Sequence, residues 1–194
     1  MDKSTFSFKV HDIVEIAMLC ALAIVFDQFL KIPLGATGGS INLSMVPIFV
    51  VALRHGWFKG FFAGGIVYGI ITCLIDMYGM QFYPLDYMLG FGGVAVLGIF
   101  ARYINNNFNN KDGVIKSIIL VVLSVLAWAT IRFFASSLSS VIFYEYTWEA
   151  AFVYNLGYVF ISAGAVLFVI CGLLYPIIRI NKAFPTNYLK EGKK

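Results

Sequence analysis

The chain predicts an all-α integral membrane protein, a bundle of six transmembrane helices with both termini in the cytoplasm. Three observations carry that prediction. Mean hydropathy is +0.85, with 60% hydrophobic and only 12% charged residues, against roughly 25% charged in soluble domains. At about 20 residues per span, 194 residues hold six helices and short loops with no soluble domain beside them. Charge also sorts by side. When the apolar stretches are laid out as alternating spans, every Lys and Arg except Lys31 and Arg132 falls on one face, which the positive-inside rule makes the cytoplasm. The opposite face keeps Asp27, Asp76, Asp86, Glu145 and Glu149, a carboxylate excess that suits a cationic ligand.

The first span covers residues 13–30. The polar start and the lack of a small-residue cleavage site after this stretch predict a retained helix and not a signal peptide. An external loop, residues 31–40, contains Pro33, Gly35, Gly38 and Gly39 and is expected to be mobile. The second span, 42–53, is short for a bilayer core of about 30 Å and is expected to unwind in part or extend into its loops. Arg54, His55 and Gly56 turn it back. Span three, 57–76, carries Gly60, Gly64, Gly65 and Gly69, a small-residue stripe for close helix packing.

A short aromatic outer turn, 77–84, leads into span four, 85–103. The asparagine-rich segment 105–112 cannot enter lipid. Span five, 113–134, puts Arg132 near its outer end, and an outer segment, 136–150, starts hydroxyl-rich and finishes aromatic and acidic. Span six, 152–179, is closed by Pro176 and a basic tail. The whole, residues 1–194, reads as one membrane domain without tandem or inverted repeats.

Several function classes drop out. There is no GxxxxGK phosphate loop, so ATP is not hydrolysed by that route. Cys20, Cys73 and Cys171 lie in apolar segments without CxxC spacing and read as small buried hydrophobes. His11 and His55 are isolated, and neither a metal site nor a cofactor is suggested. The basic residues are spread over four segments, which does not imply nucleic acid. No Ser–His or Cys–His pair occurs at membrane depth, and Asp76 and Asp86 lack the glycine context of a membrane aspartyl protease, so the chain does not read as an enzyme.

Charges at membrane depth cost several kcal/mol unless paired or hydrated, which makes Asp86 and Arg132 candidate ligand-binding residues; the alternatives are a helix cap for Asp86 and snorkelling for Arg132. Tyr83, Tyr87, Tyr144, Tyr146, Trp148 and Tyr154 suit an interfacial aromatic belt. Together with carboxylates and Asn155 they also suit a pocket for an aromatic cation, with cation–π attraction of about 0.5–2 kcal/mol per ring. On the first helix Ala17 and Ala21, with Ala23 one residue around, form a small-residue face for close contact within or between chains.

Five stretches carry a resemblance: Ala17-Met18-Leu19-Cys20-Ala21; Ser44-Met45-Val46-Pro47-Ile48 through Leu53-Arg54-His55-Gly56-Trp57; Asp86-Tyr87-Met88-Leu89-Gly90-Phe91; Arg132-Phe133-Phe134 followed by Ser139 to Tyr144; and Tyr154-Asn155 before Gly157. In order and spacing the chain resembles the thiamine-specific S-components of energy-coupling factor (ECF) transporters. That resemblance implies a six-helix vitamin-binding subunit whose site opens outward under the first external loop. It assigns substrate contact to Asp86, Tyr87, Arg132, Tyr144 and Asn155, and sets Ala17 and Ala21 against a membrane coupling subunit, EcfT, that moves with two ATPases. Ser136 stands where the family usually has His, Ala150 where a substrate-facing Tyr is usual, and the first loop lacks a Trp; Trp148 is a candidate replacement ring. These departures leave another vitamin or a pyrimidine-like compound as alternatives, beside a stand-alone cation-coupled transporter using Asp76 and Asp86.

Overall fold

The structure, a computed structural model, describes residues 3–33 and 40–191. Two helices open the chain, α1 (Lys3–Phe6) and α2 (Val10–Phe29), followed by the strand pair β1 (Ile32–Pro33) and β2 (Ser40–Ile41). Then come α3 (Met45–Asp76), α4 (Met80–Asn107), α5 (Lys111–Phe143) and α6 (Trp148–Ala183), and a last short helix, α7 (Asn187–Glu191). Among the described residues, α3 to α6 are long and apolar enough to cross a membrane. The 20-residue α2 is interrupted by Asp12, Glu15 and Asp27.

The ends of the loop predicted over residues 31–40 pair antiparallel, Ile32 with Ile41 and Pro33 with Ser40. Its glycines, expected to be mobile, lie outside the described residues.

α3 is broken once. Gly56 has φ 85° and ψ −178°, a backbone that residues with a Cβ rarely adopt. A Cβ there would also lie 2.5 Å from Tyr188 Cζ. The corner that reads in sequence as a cytoplasmic turn, Arg54 to Gly56, is therefore buried, with the α7 tyrosine packed beneath it. Further along, Phe62–Tyr68 widens into a π-helical stretch that faces a second one in α4, Tyr83–Leu89. At Gly65 a Cβ would sit 2.9 Å from the Met88 carbonyl oxygen, so only glycine permits this approach.

α5 runs nine residues past the predicted end at residue 134. Serines that suggested a loop are accommodated by bonding back along the helix: Ser140 Oγ donates to the Ser136 carbonyl at 2.8 Å, as Ser124 does to Leu120 and Ser117 to Gly113, both at 2.7 Å. α6 also starts earlier than expected, where the Thr147 hydroxyl accepts from the Ala150 amide. It continues through Pro176 to Ala183, so Pro176 does not close it.

The first and last described helices, α1 and α7, gather at one end of the bundle. Lys9 Nζ donates to Asn187 Oδ1 at 2.9 Å, and Arg102 bonds both Ser4 Oγ and the Tyr188 carbonyl while stacking on the Tyr188 ring at 4.1 Å. A charged cluster is buried just inside. Lys59, fully buried, donates to Asp12 at 2.8 Å; Arg54 grips Glu15 with two nitrogens. His55, also fully buried, lies 3.6 Å from Asp12 and 3.2 Å from Glu15. Arg54 extends the cluster to Asn181, Asn181 to Asn105, and Asn105 to the Leu53 carbonyl. Burying ions is costly unless each is paired; here the acids of α2 and the bases of α3 neutralise one another and fix the two helices together.

Candidate functional site

A polar cavity lies at the opposite end of the bundle, where α2 and α3 finish, α4 begins, α5 finishes and α6 begins. Its wall includes Asp27 of α2, Asp76 of α3, Asp86 and Tyr87 of α4, Arg132, Ser136 and Ser140 of α5, Tyr144, and Tyr154, Asn155 and Tyr158 of α6. Helical spacing explains the alignment: 132, 136 and 140 recur every four residues on α5, and 154, 155 and 158 share one face of α6.

Asp86 accepts a short hydrogen bond from Ser139. Tyr87, 6% exposed, donates to Asp76 at 3.0 Å. Arg132, 8% exposed, makes no ion pair within 4 Å among the described residues. Its guanidinium instead faces the rings of Phe91 at 5.0 Å, Trp128 at 5.8 Å and Tyr158 at 5.9 Å. Asp86 and Arg132 are thus neither a helix cap nor a snorkelling cation. Arg132 sits eleven residues before the end of α5, about 16 Å at 1.5 Å per residue, deeper than the predicted span end implied.

Asn155, 1% exposed, is held within the protein: its amide donates to Ser140 and to the Ala151 carbonyl, and its oxygen accepts from Tyr158 at 2.8 Å. Tyr144 stacks on Phe82 at 5.0 Å. Burial and the nearby Asp86 carboxylate hold the Tyr144 hydroxyl above the ordinary phenol range, keeping it a neutral donor at physiological pH.

Seven of the ten residues singled out in sequence therefore line one cavity, Asp86, Tyr87, Arg132, Ser136, Tyr144, Tyr154 and Asn155, while Tyr83 and Tyr146 do not. Nor does Trp148; it is 52% exposed and packs its ring on Phe152 at 5.7 Å. Ala17 and Ala21 are exposed on α2, while Ala23 is fully buried. Asp27, Asn42 and Tyr158 belong to the wall without having been chosen, and Asp76, named in sequence only beside Asp86 in the cation-coupled alternative, joins them. Tyr158 was within reach of the helical repeat from Asn155, whereas Asn42 depends on where the strand pair folds back.

A multi-pass helical bundle that gathers carboxylates, a guanidinium and tyrosines around a cavity at one end is a membrane protein of the small-solute-handling class. Residues 13–184 match the family described as thiamine transporter protein (Thia_YuaJ), and the chain belongs to that family. It is 28% identical over 185 residues to the thiamine transporter ThiT of Bacillus subtilis (strain 168), covering 88% of this chain and 94% of that one. The fold is similar to the solved structure of ThiT from Listeria monocytogenes, with a TM-score of 0.69, 21% identity, and coverage of 90% of this chain and 96% of that one.

Proposed function

We propose that the chain is the S-component of an ECF-type transporter, capturing thiamine outside the cell for ATP-driven uptake by EcfT and two ATPase subunits. The observation that carries this reading is the cavity: Asp86 and Arg132 face a tyrosine-rich wall in a chain belonging to the thiamine transporter family. Asp86 suits the role of acceptor for an aminopyrimidine amine, with Asn155 beside it and Tyr87, Tyr144 and Tyr154 offering ring faces to the two heterocycles. Ser136 supplies a small hydroxyl to the same wall.

The membrane arrangement in this reading has six crossings: α2, the two arms of α3 on either side of Gly56, α4, α5 and α6. An even number of crossings returns both termini to one side, consistent with α1 and α7 meeting at the end remote from the cavity. The excess of Lys and Arg toward that end supports a cytoplasmic assignment, with the cavity facing outward. The exposed Ala17 and Ala21 leave a shallow strip on α2 suited to a partner helix.

Intrinsic fluorescence titration of the detergent-purified chain with thiamine, with riboflavin, biotin, folate and pyridoxine as competitors, tests the ligand. Saturable quenching by thiamine alone is expected; a response only to another vitamin refutes the thiamine assignment. The partner assignment is tested by Ala17→Leu with Ala21→Leu, expected to abolish uptake in cells carrying the ATPase module while leaving thiamine binding intact.

A further inference from the structure

Two apolar grooves open on the flanks of the bundle near the end where α1 and α7 meet, and they differ in how their cations are used. One, where α2, α3 and α6 adjoin, is lined by Met18, Leu22, Val50 and Ile177 together with Glu15 and Arg54. Its charges are matched to each other, since Arg54 grips Glu15 with two nitrogens. The other lies between α4 and α5, has a volume of about 400 Å³, and is lined by Ile99, Phe100, Tyr103, Lys116, Ile119 and Leu120. Arg102, next to Tyr103, bonds α1 and α7 and so places this groove at their end of the bundle. Among the described residues Lys116 makes no hydrogen bond, ion pair or ring contact, not even with Asp112 one turn back on α5.

Helix geometry orders the six lining side chains. α4 and α5 run antiparallel from a tight connection, where a Cβ on Gly113 would collide with the Asn107 carbonyl oxygen. Tyr103 and Lys116 are the lining residues nearest that connection, and the four apolar ones lie deeper. Lys116 is five residues past the start of α5, about 7.5 Å along the axis. Side chains on a helix lean toward its N-terminus, which for α5 is the connection end, so the ammonium is carried back toward the polar edge of the bilayer. A free cation and a phenol thus stand above an apolar trough.

We propose that this groove binds one anionic phospholipid, with its phosphate on Lys116 and Tyr103 and an acyl chain between α4 and α5. The trough alone does not discriminate, because lipid tails are as apolar as its walls. The head does: an unpaired ammonium near the bilayer surface favours an anionic lipid over a zwitterionic one by about fivefold. The site lies at the opposite end of the bundle from the polar cavity and is independent of the cavity's ligand.

The test is native mass spectrometry of the intact chain, released from detergent micelles carrying phosphatidylglycerol, phosphatidylcholine or, as a soluble headgroup, glycerol 3-phosphate. Wild type should retain phosphatidylglycerol about fivefold more tightly than phosphatidylcholine and should not retain glycerol 3-phosphate. Lys116→Gln should bring the two lipids within about twofold of each other, and Lys116→Arg should keep most of the preference. Arg179→Gln, which removes an exposed cation near the end of α6 that lines neither groove, should leave the preference unchanged. Ile119→Trp, which fills the trough and keeps the cation, should weaken both lipids together. On wild type itself, phosphatidylglycerol with a photoactivatable acyl chain should crosslink to residues 99–103 and 116–120. Equal loss of preference in Lys116→Gln and Arg179→Gln would mean diffuse attraction to net charge and overturns the site. So does a full preference in Lys116→Gln, unaltered retention in Ile119→Trp, or labelling spread evenly over α3 to α6. Glycerol 3-phosphate held as tightly as the lipid would make the ligand a free phosphate and overturn the lipid.

Discussion

The two ends of this bundle treat charge in opposite ways. At the end where α1 and α7 meet, acids of α2 and bases of α3 are matched inside the protein: Asp12 with Lys59, Glu15 with Arg54, His55 between the two acids. At the other end Asp27 and Asp86 are held by hydroxyl and amide groups, and Arg132 faces aromatic rings. Neutral donors position a charge without cancelling it. The first arrangement holds helices together; the second leaves electrostatic capacity for a ligand.

The sharpest way to break this contrast is to unpair the closed end. Lys59→Met leaves Asp12 buried without its principal partner and should cost about 3–5 kcal/mol of stability, visible as a large drop in thermal midpoint in detergent. Ligand affinity of the folded fraction should be unchanged. Next in size is Asp86→Asn, expected to weaken thiamine binding by about 2–5 kcal/mol, some 30-fold or more, while the ligand-free midpoint holds or rises. Asn155→Ala should cost about 1–2 kcal/mol of affinity together with some stability, because its amide also ties α5 to α6. Smallest is Trp148→Phe, expected to leave the dissociation constant within about twofold, since the ring packs on Phe152 outside the cavity wall. A large effect of Trp148→Phe on affinity would bring Trp148 into the site.

The contrast was only half legible in the sequence. Hydropathy and the sorting of Lys and Arg pointed to a helical membrane protein, and the cost of charge at depth singled out Asp86 and Arg132, which share a cavity. The closed end was hidden because Arg54, His55 and Gly56 look like an ordinary polar turn; only the α2 acids and the α7 tyrosine, distant in sequence, make the corner burial-competent. The extent of α5 was missed for a local reason, since Ser136 to Ser140 read as a loop until their hydroxyls are seen to bond within the helix. Asp27 looked like one more outward acid, because the hydrogen-bonded chain that holds it needs Asn42, Ser44 and Tyr68 from beyond the first loop.

The wedge of Tyr188 beneath Gly56 has a consequence for biosynthesis. A ribosome feeding this chain into a membrane releases residue 56 long before residue 188, so the corner of α3 is inserted while its packing partner is still unmade. The early helices must wait in a provisional state, with the bulky corner site empty, until the far end of the chain arrives to close it. Maturation of the first half is thereby timed by the completion of the second, and a pulse-chase protease assay should find cleavage near Gly56 persisting until synthesis has passed Tyr188.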